Sequence, residues 1–221
     1  MIINKATPSQ EYKDLINSYK ELHKHTRAFK GISLRPLVST LHKIIKSNDC
    51  KTLLDYGCGK GYAYNDKYKE LGLADKVQNL WNIDSFSLYD PAYPSHNKIP
   101  TGKYDIVLCT DVMEHIPEQD IDWVIQKIFN YANKAVFFSI CTMEAIKTFQ
   151  EGKFKGKNVH VTVQEKEWWL NKFSKIWGKQ KTLKVYLHFT SKEGNFAICL
   201  KKRRDKDGTD STDRSSDKIA G

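Results

Sequence analysis

No run of apolar residues in this chain approaches the roughly 20 needed to span a bilayer, which excludes a membrane-spanning helix. The first residues, MIINKATPSQEYKD, hold no apolar core and no small-residue cleavage site, so a secretory signal is not expected. Cysteine is scarce and poorly spaced for a framework. The five residues (Cys50, Cys58, Cys109, Cys141, Cys199) are odd in number and share no CxxC spacing. Three of them sit in or beside apolar strand-like runs, where a reduced thiol behaves as a small hydrophobe. A cytoplasmic chain without a structural metal is therefore expected. There is no internal repeat.

What is present suits a globular fold. A chain of 221 residues can bury a substantial core as one domain without disulfides. The formal charge of +10 is concentrated locally. Met1–Lys46 holds nine Lys/Arg against three acids, and Glu151–Lys184 holds nine Lys against three acids. Either segment could attract an anionic partner, nucleic acid or a phosphorylated metabolite; a lysine-rich solvated surface explains the same charge.

Apolar spacing predicts a helix from Gln10 to about Ala28, carrying Tyr12, Leu15, Tyr19 and Leu22. After Gly31, Ser33 is placed to cap a second helix with Leu34, Leu37, Val38, Leu41, Ile44 and Ile45 in one stripe. The first strand is Lys51–Asp55, followed by a glycine turn and a helix from about Tyr62 to Leu71. Val77–Ile83 and Phe86–Asp90 are both candidates for the second strand. Tyr104–Cys109 and Lys134–Ile140 read as buried parallel strands, with a helix at Pro117–Tyr131 between them. Glu165–Trp177 is helical, and Lys181–Thr190 pairs with Asn195–Lys201. The tail from about Arg203 is charged and almost free of apolar residues, so disorder is expected over 203–221. Strands alternating with helices before a closing hairpin argue for an α/β fold with a mostly parallel sheet.

The densest signal is TLLDYGCGKGY, Thr52 to Tyr62. An apolar strand runs into an acid and then into Gly57, Gly59 and Gly61, where missing Cβ atoms let the backbone turn and a ligand approach. A dinucleotide fingerprint wants its third glycine where Tyr62 stands, and GxxxxGK[ST] is absent. A nucleotide-dependent oxidoreductase is accordingly disfavoured.

This DxGxGxG stretch resembles motif I of class I S-adenosylmethionine-dependent methyltransferases. The resemblance extends over about Leu22 to Thr190, through LH…FKGISL, LLDYGCGKG, YDPAYP, YDIVLCTDVMEHIPEQDIDWV and NVHVTV…EWW, and is to a compact bacterial and viral branch. It implies a Rossmann-like domain over 1–202, with helices in 1–48 as part of it, and S-adenosylmethionine as cofactor. By that likeness Asp55, Gly57, Cys58, Gly59 and Gly61 form the cofactor loop, with Asp55 toward the methionine amino group. The ribose acid is Asp90 in the YDP element, or Asp84 in WNID. Only 13 residues separate Asp90 from Tyr104, too few for a full third strand and its helices. Asp111 and Val112 are carried over to the methionine end of the cofactor, with Glu114 and His115 at the pocket mouth.

Methyl transfer from a sulfonium is a displacement in which the protein aligns the acceptor and, where needed, removes a proton. His115 and His160 are the candidate bases, and Trp168–Trp169 could stack on an acceptor. No NPPY-like element stands near Ile140, which counts against an adenine or glutamine nitrogen. The expected activity is methylation of a small, anionic acceptor at oxygen. Nucleic-acid methylation, or a non-catalytic S-adenosylmethionine- or RNA-binding module, is the alternative supported by the basic segments.

Overall fold

The computed structural model describes residues 7–25, 27–68, 76–178, 182–204 and 210–215. Helix α1 (Gln10–Lys24) starts where the Ser9 hydroxyl accepts the Tyr12 amide, as an N-cap should. Helix α2 (Val38–Ser47) follows a 3-10 turn, Arg35–Leu37, so Ser33 is not its cap; Leu37 occupies that position. The expected stripe is nonetheless buried from Leu34 to Ile45.

Strand β1 (Thr52–Tyr56) pairs in parallel with β2 (Ser85–Tyr89) and β3 (Tyr104–Thr110). The chain continues through α4 (Ile121–Tyr131), β4 (Ala132–Cys141), α5 (Lys166–Trp177), β5 (Lys184–Ser191) and β6 (Gly194–Arg204). The sheet order is β2-β1-β3-β4-β5-β6-β7, where β7 is Asp210–Ser215; β5 is parallel to β4, and β6 turns back antiparallel. The expected Rossmann-like sheet with a closing hairpin is what forms. Between β2 and β3 the described chain makes one 3-10 turn, Pro94–His96, and β2 is left at the edge.

Three local expectations differ from the structure. Val77–Ile83 contains a short helix, α3 (Val77–Trp81), because Val77 and Trp81, four apart, both enter the core beside α2. The Trp81 indole N–H donates to Val38 O at 3.1 Å. The helix expected after Tyr62 is a single 3-10 turn, Tyr62–Asn65, which ends where Asp66 turns extended and meets Arg35 at 2.6 Å; residues 69–75 lie outside the described residues. Within the tail expected to be disordered, β7 (Asp210–Ser215) pairs antiparallel with β6. An open strand edge offers unpaired N–H and C=O groups, so backbone bonding can order a segment that has nothing apolar to bury.

Side chains of the central strands alternate between two cores, as the pleat demands. Leu53, Ile106, Leu108 and Phe137 face α2 and α3, while Leu54, Val107, Cys109 and Phe138 face α4 and α5. Trp169 is wholly buried with Phe173 and Phe138, whereas Trp168 is half-buried with Lys172 over its ring at 5.0 Å. The tryptophan pair thus serves the core and the surface. We expect Trp169→Ala to cost about 3–5 kcal/mol, the range for emptying a buried aromatic site. Trp168→Ala should cost only about 1 kcal/mol, the scale of a partly exposed cation–π contact; denaturant melts of both variants check the contrast.

Candidate active site

Parallel pairing brings the C-terminal ends of β1, β2 and β3 side by side, the usual ligand crevice of such sheets. The glycine loop leaves β1 and bends toward β2, with Gly57 and Cys58 both donating N–H to Tyr89 O, at 2.6 and 3.1 Å. Gly59 N–H then donates to Asp90 Oδ2 at 3.0 Å. The glycines are needed by the protein before any ligand arrives. A Cβ on Gly57 (φ +86°) would lie 2.3 Å from Val112 Cγ2, and one on Gly59 (φ +58°) would lie 2.4 Å from Phe29 O. The Cys58 thiol is buried beside Asp55 and Asp90, and burial pushes its pKa far up, so it stays protonated.

A cavity of about 300 Å³ opens there. Asp55, Gly57, Cys58, Gly59, Asp90, Asp111 and Val112 all line it. Gly61 stands beside it; a Cβ there would press on Leu88. Asp84 lies elsewhere. It is exposed at the start of β2, its N–H on Lys51 O, so the register of β1 and β2 puts it at the opposite end of the sheet from Asp90.

Each carboxylate has a distinct setting. Asp90 is held by two backbone amides, Gly59 on Oδ2 and Ala92 on Oδ1 (2.8 Å). Asp55 accepts the Tyr64 hydroxyl on Oδ2 at 3.0 Å, while Oδ1 is buried with no hydrogen-bond partner. Burial raises the Asp55 pKa to about 7, with the Tyr64 hydrogen bond opposing that rise. Asp111 adopts φ +52°, an uncommon left-handed conformation for a non-glycine residue, with its N–H on Ser139 O and its Oδ1 accepting the Ser139 hydroxyl. Glu114 is fully buried; Oε1 accepts the Cys141 N–H, and burial raises its pKa well above the usual carboxylate value.

The two candidate histidines separate. His115 lines the cavity, and its Nδ1 lies 2.8 Å from Val159 O, which fixes the proton on Nδ1 and bares Nε2. Burial, with His160 second, lowers its pKa to about 3, so it can accept a hydrogen bond but scarcely hold a proton. His160 stands behind it, ring centroids 4.8 Å apart, bonded through Nδ1 to Met143 O and outside the cavity lining. Donor atoms of Glu114, Cys141 and His160 come within 4.8 Å of one another. Burial raises the pKa of both the thiol and the carboxyl, which opposes the deprotonated forms that metal ligation needs.

The residues that sequence reasoning missed come from the N-terminus. Tyr12, Ile16, Tyr19 and His23, one face of α1, line the cavity, with Phe29 beyond them. Their signal was the helical stripe joined to the LH…FKG series. Arg27 and Lys30 also line it, with Lys147 from the segment after β4. The basic segment Glu151–Lys184, Trp168 and Trp169 do not.

A family model described as "Methyltransferase domain" matches residues 25–172. No curated protein matches the chain. One solved structure that it resembles is described as "DhpI-SAH complex structure", at 12% identity and TM-score 0.38, covering 91% of this chain and 79% of that one.

The setting of Asp55 has a consequence for stability. Its folded pKa lies above the unfolded carboxylate value, so its favourable contribution is greatest below about pH 4 and falls as pH rises toward about 7. Asp55→Asn should raise the melting temperature of the ligand-free protein at pH 8, and much less at pH 5. Equal shifts at the two pH values would show that burial of this charge is not what costs stability.

Proposed function

Because the chain belongs to the methyltransferase domain family, we propose that it transfers the methyl group of S-adenosylmethionine to an oxygen of a small anionic acceptor. The enzyme class and the cofactor follow from the family. The acceptor and the methylated atom are the proposal.

The cavity fits that cofactor. The orphaned Oδ1 of Asp55 needs a donor, which an ammonium group supplies, and Asp90 is oriented by two amides with a lone pair left on each oxygen for hydroxyl groups. Bound there, the cofactor supplies an electrophilic methyl carbon. The protein's own residues then exclude water and align the acceptor.

The observation that carries the acceptor reading is the contrast between floor and rim. Asp55, Asp90 and Asp111 form the floor, whereas Arg27, Lys30 and Lys147 reach the cavity with no ion-pair partner among the described residues. The side chains of α1 wall the cavity and suit a small molecule better than a polymer. An oxygen already ionised at neutral pH, on a carboxylate or a phosphoryl group, attacks without giving up a proton. That chemistry suits a site whose lining imidazole, His115, is so weak a base. His115 Nε2 can still accept a hydrogen bond that orients the acceptor.

Labelled methyl transfer to fractionated small-molecule, protein and nucleic-acid pools tests this reading. Label should enter the anionic small-molecule pool, and label confined to nucleic acid would overturn the acceptor assignment. Arg27→Ala with Lys147→Ala should raise the acceptor KM about tenfold or more and leave cofactor affinity unchanged. Asp90→Ala should weaken cofactor binding about 10- to 150-fold, the cost of a charge-assisted hydrogen bond. Asp84→Ala should leave it unchanged by calorimetry.

A further inference from the structure

The LH…FKG series of the N-terminus has a structural counterpart that the glycine loop and Asp90 do not explain. His23, near the end of α1, lines the cavity and is only 6% exposed. Its ring packs against two aromatics, Phe29 at 5.0 Å and Tyr93 at 5.1 Å, the latter nearly parallel at 24°. Tyr93 is held in place by a closed turn, its N–H on Asp90 O and its carbonyl accepting the His96 N–H. The imidazole therefore cannot swing out to solvent.

Its hydrogen bonding is incomplete. Nδ1 is buried with no partner. Nε2 lies 3.8 Å from Asp90 Oδ1, too long for a direct hydrogen bond. A buried polar group without a partner costs free energy, and native structures rarely leave one unless something else fills the gap. Burial, against the pull of Asp90, keeps the ring neutral. The tautomer with its proton on Nε2 leaves only a bare lone pair at the buried Nδ1 and aims a donor toward Asp90.

We propose that His23 is a cofactor-binding residue that donates from Nε2 to a ribose hydroxyl, while the same hydroxyl donates to Asp90. A hydroxyl is both donor and acceptor, so one group satisfies the imidazole and the carboxylate together. Asp90 alone would recognise a hydroxyl proton; the pair recognises the whole hydroxyl and ties α1 to the bound cofactor. This rests on the cofactor assignment above.

The test measures affinity for S-adenosylhomocysteine and its 2′-deoxy and 3′-deoxy analogues by calorimetry. His23→Phe preserves the aromatic packing and removes the donor. It should weaken S-adenosylhomocysteine about tenfold and have no effect on one of the two deoxy analogues, which already lacks the contact. Unchanged affinity for the parent compound, or an equal loss for all three ligands, would overturn the proposal. A second measurement needs no variant. In the wild-type protein, one histidine Nε2–H should become protected from exchange on adding S-adenosylhomocysteine, and that protection should be lost with one deoxy analogue and kept with the other. Protection independent of the ribose hydroxyls would also refute it. Failure of the wild type to bind S-adenosylhomocysteine at all would remove the cofactor assignment itself, an outcome distinct from loss of the His23 contact alone.

Discussion

Two backbone hydrogen bonds, Lys60 N–H to Phe29 O and Tyr62 N–H to Lys30 O, both 2.9 Å, hold the N-terminal segment against the glycine loop, and the cavity depends on them. The approach is close enough that a Cβ on Gly31 would lie 2.2 Å from Cys58 O. Phe29 itself takes φ +45° to present its carbonyl. With this strap in place, α1 lays Tyr12, Ile16, Tyr19 and His23 along the crevice at the strand ends. Without it, the ends of β1, β2 and β3 would form an open groove of the kind common to such sheets. Enclosure is thus built from main-chain pairing between segments some thirty residues apart, and glycine makes that pairing sterically feasible.

The cavity and the core beside it hold carboxyl groups that the fold alone does not satisfy. Asp55 and Glu114 are both buried, each has one oxygen without a hydrogen-bond partner, and burial raises both pKa values. Such arrangements cost stability and concentrate at functional sites, where a ligand relieves them. The left-handed Asp111 belongs to the same pattern, a strained residue held by Ser139 beside the cavity. Cations stand at the rim, on segments that are not part of the sheet.

Legibility in the sequence followed the range of the interactions involved. The loop Asp55–Gly61 was readable because its chemistry is local: a strand, an acid and glycines whose φ values are positive. Asp90 was readable as the end of an apolar run. Its rival Asp84 followed Val77–Ile83 as a candidate strand, and a seven-residue segment of mixed polarity has no period long enough to decide between strand and helix. Packing of Trp81 under α2 decided it. The roles of His115 and His160 were beyond sequence reasoning, since both reduce to which carbonyl each Nδ1 meets and which ring reaches the cavity. The tail misled for a related reason: strand pairing at a sheet edge satisfies backbone groups and needs no apolar side chain.

By itself the sequence determined the fold class, the parallel strands, the glycine loop and the family likeness, because each is written in contiguous residues and their periodicity. The tertiary structure decided which acid stands at the crevice, which tryptophan is core, that α1 walls the site, and how weak a base His115 is. These depend on strand register, desolvation and contacts between segments distant in the chain, and no local pattern encodes the distance between two residues that only the folded sheet brings together.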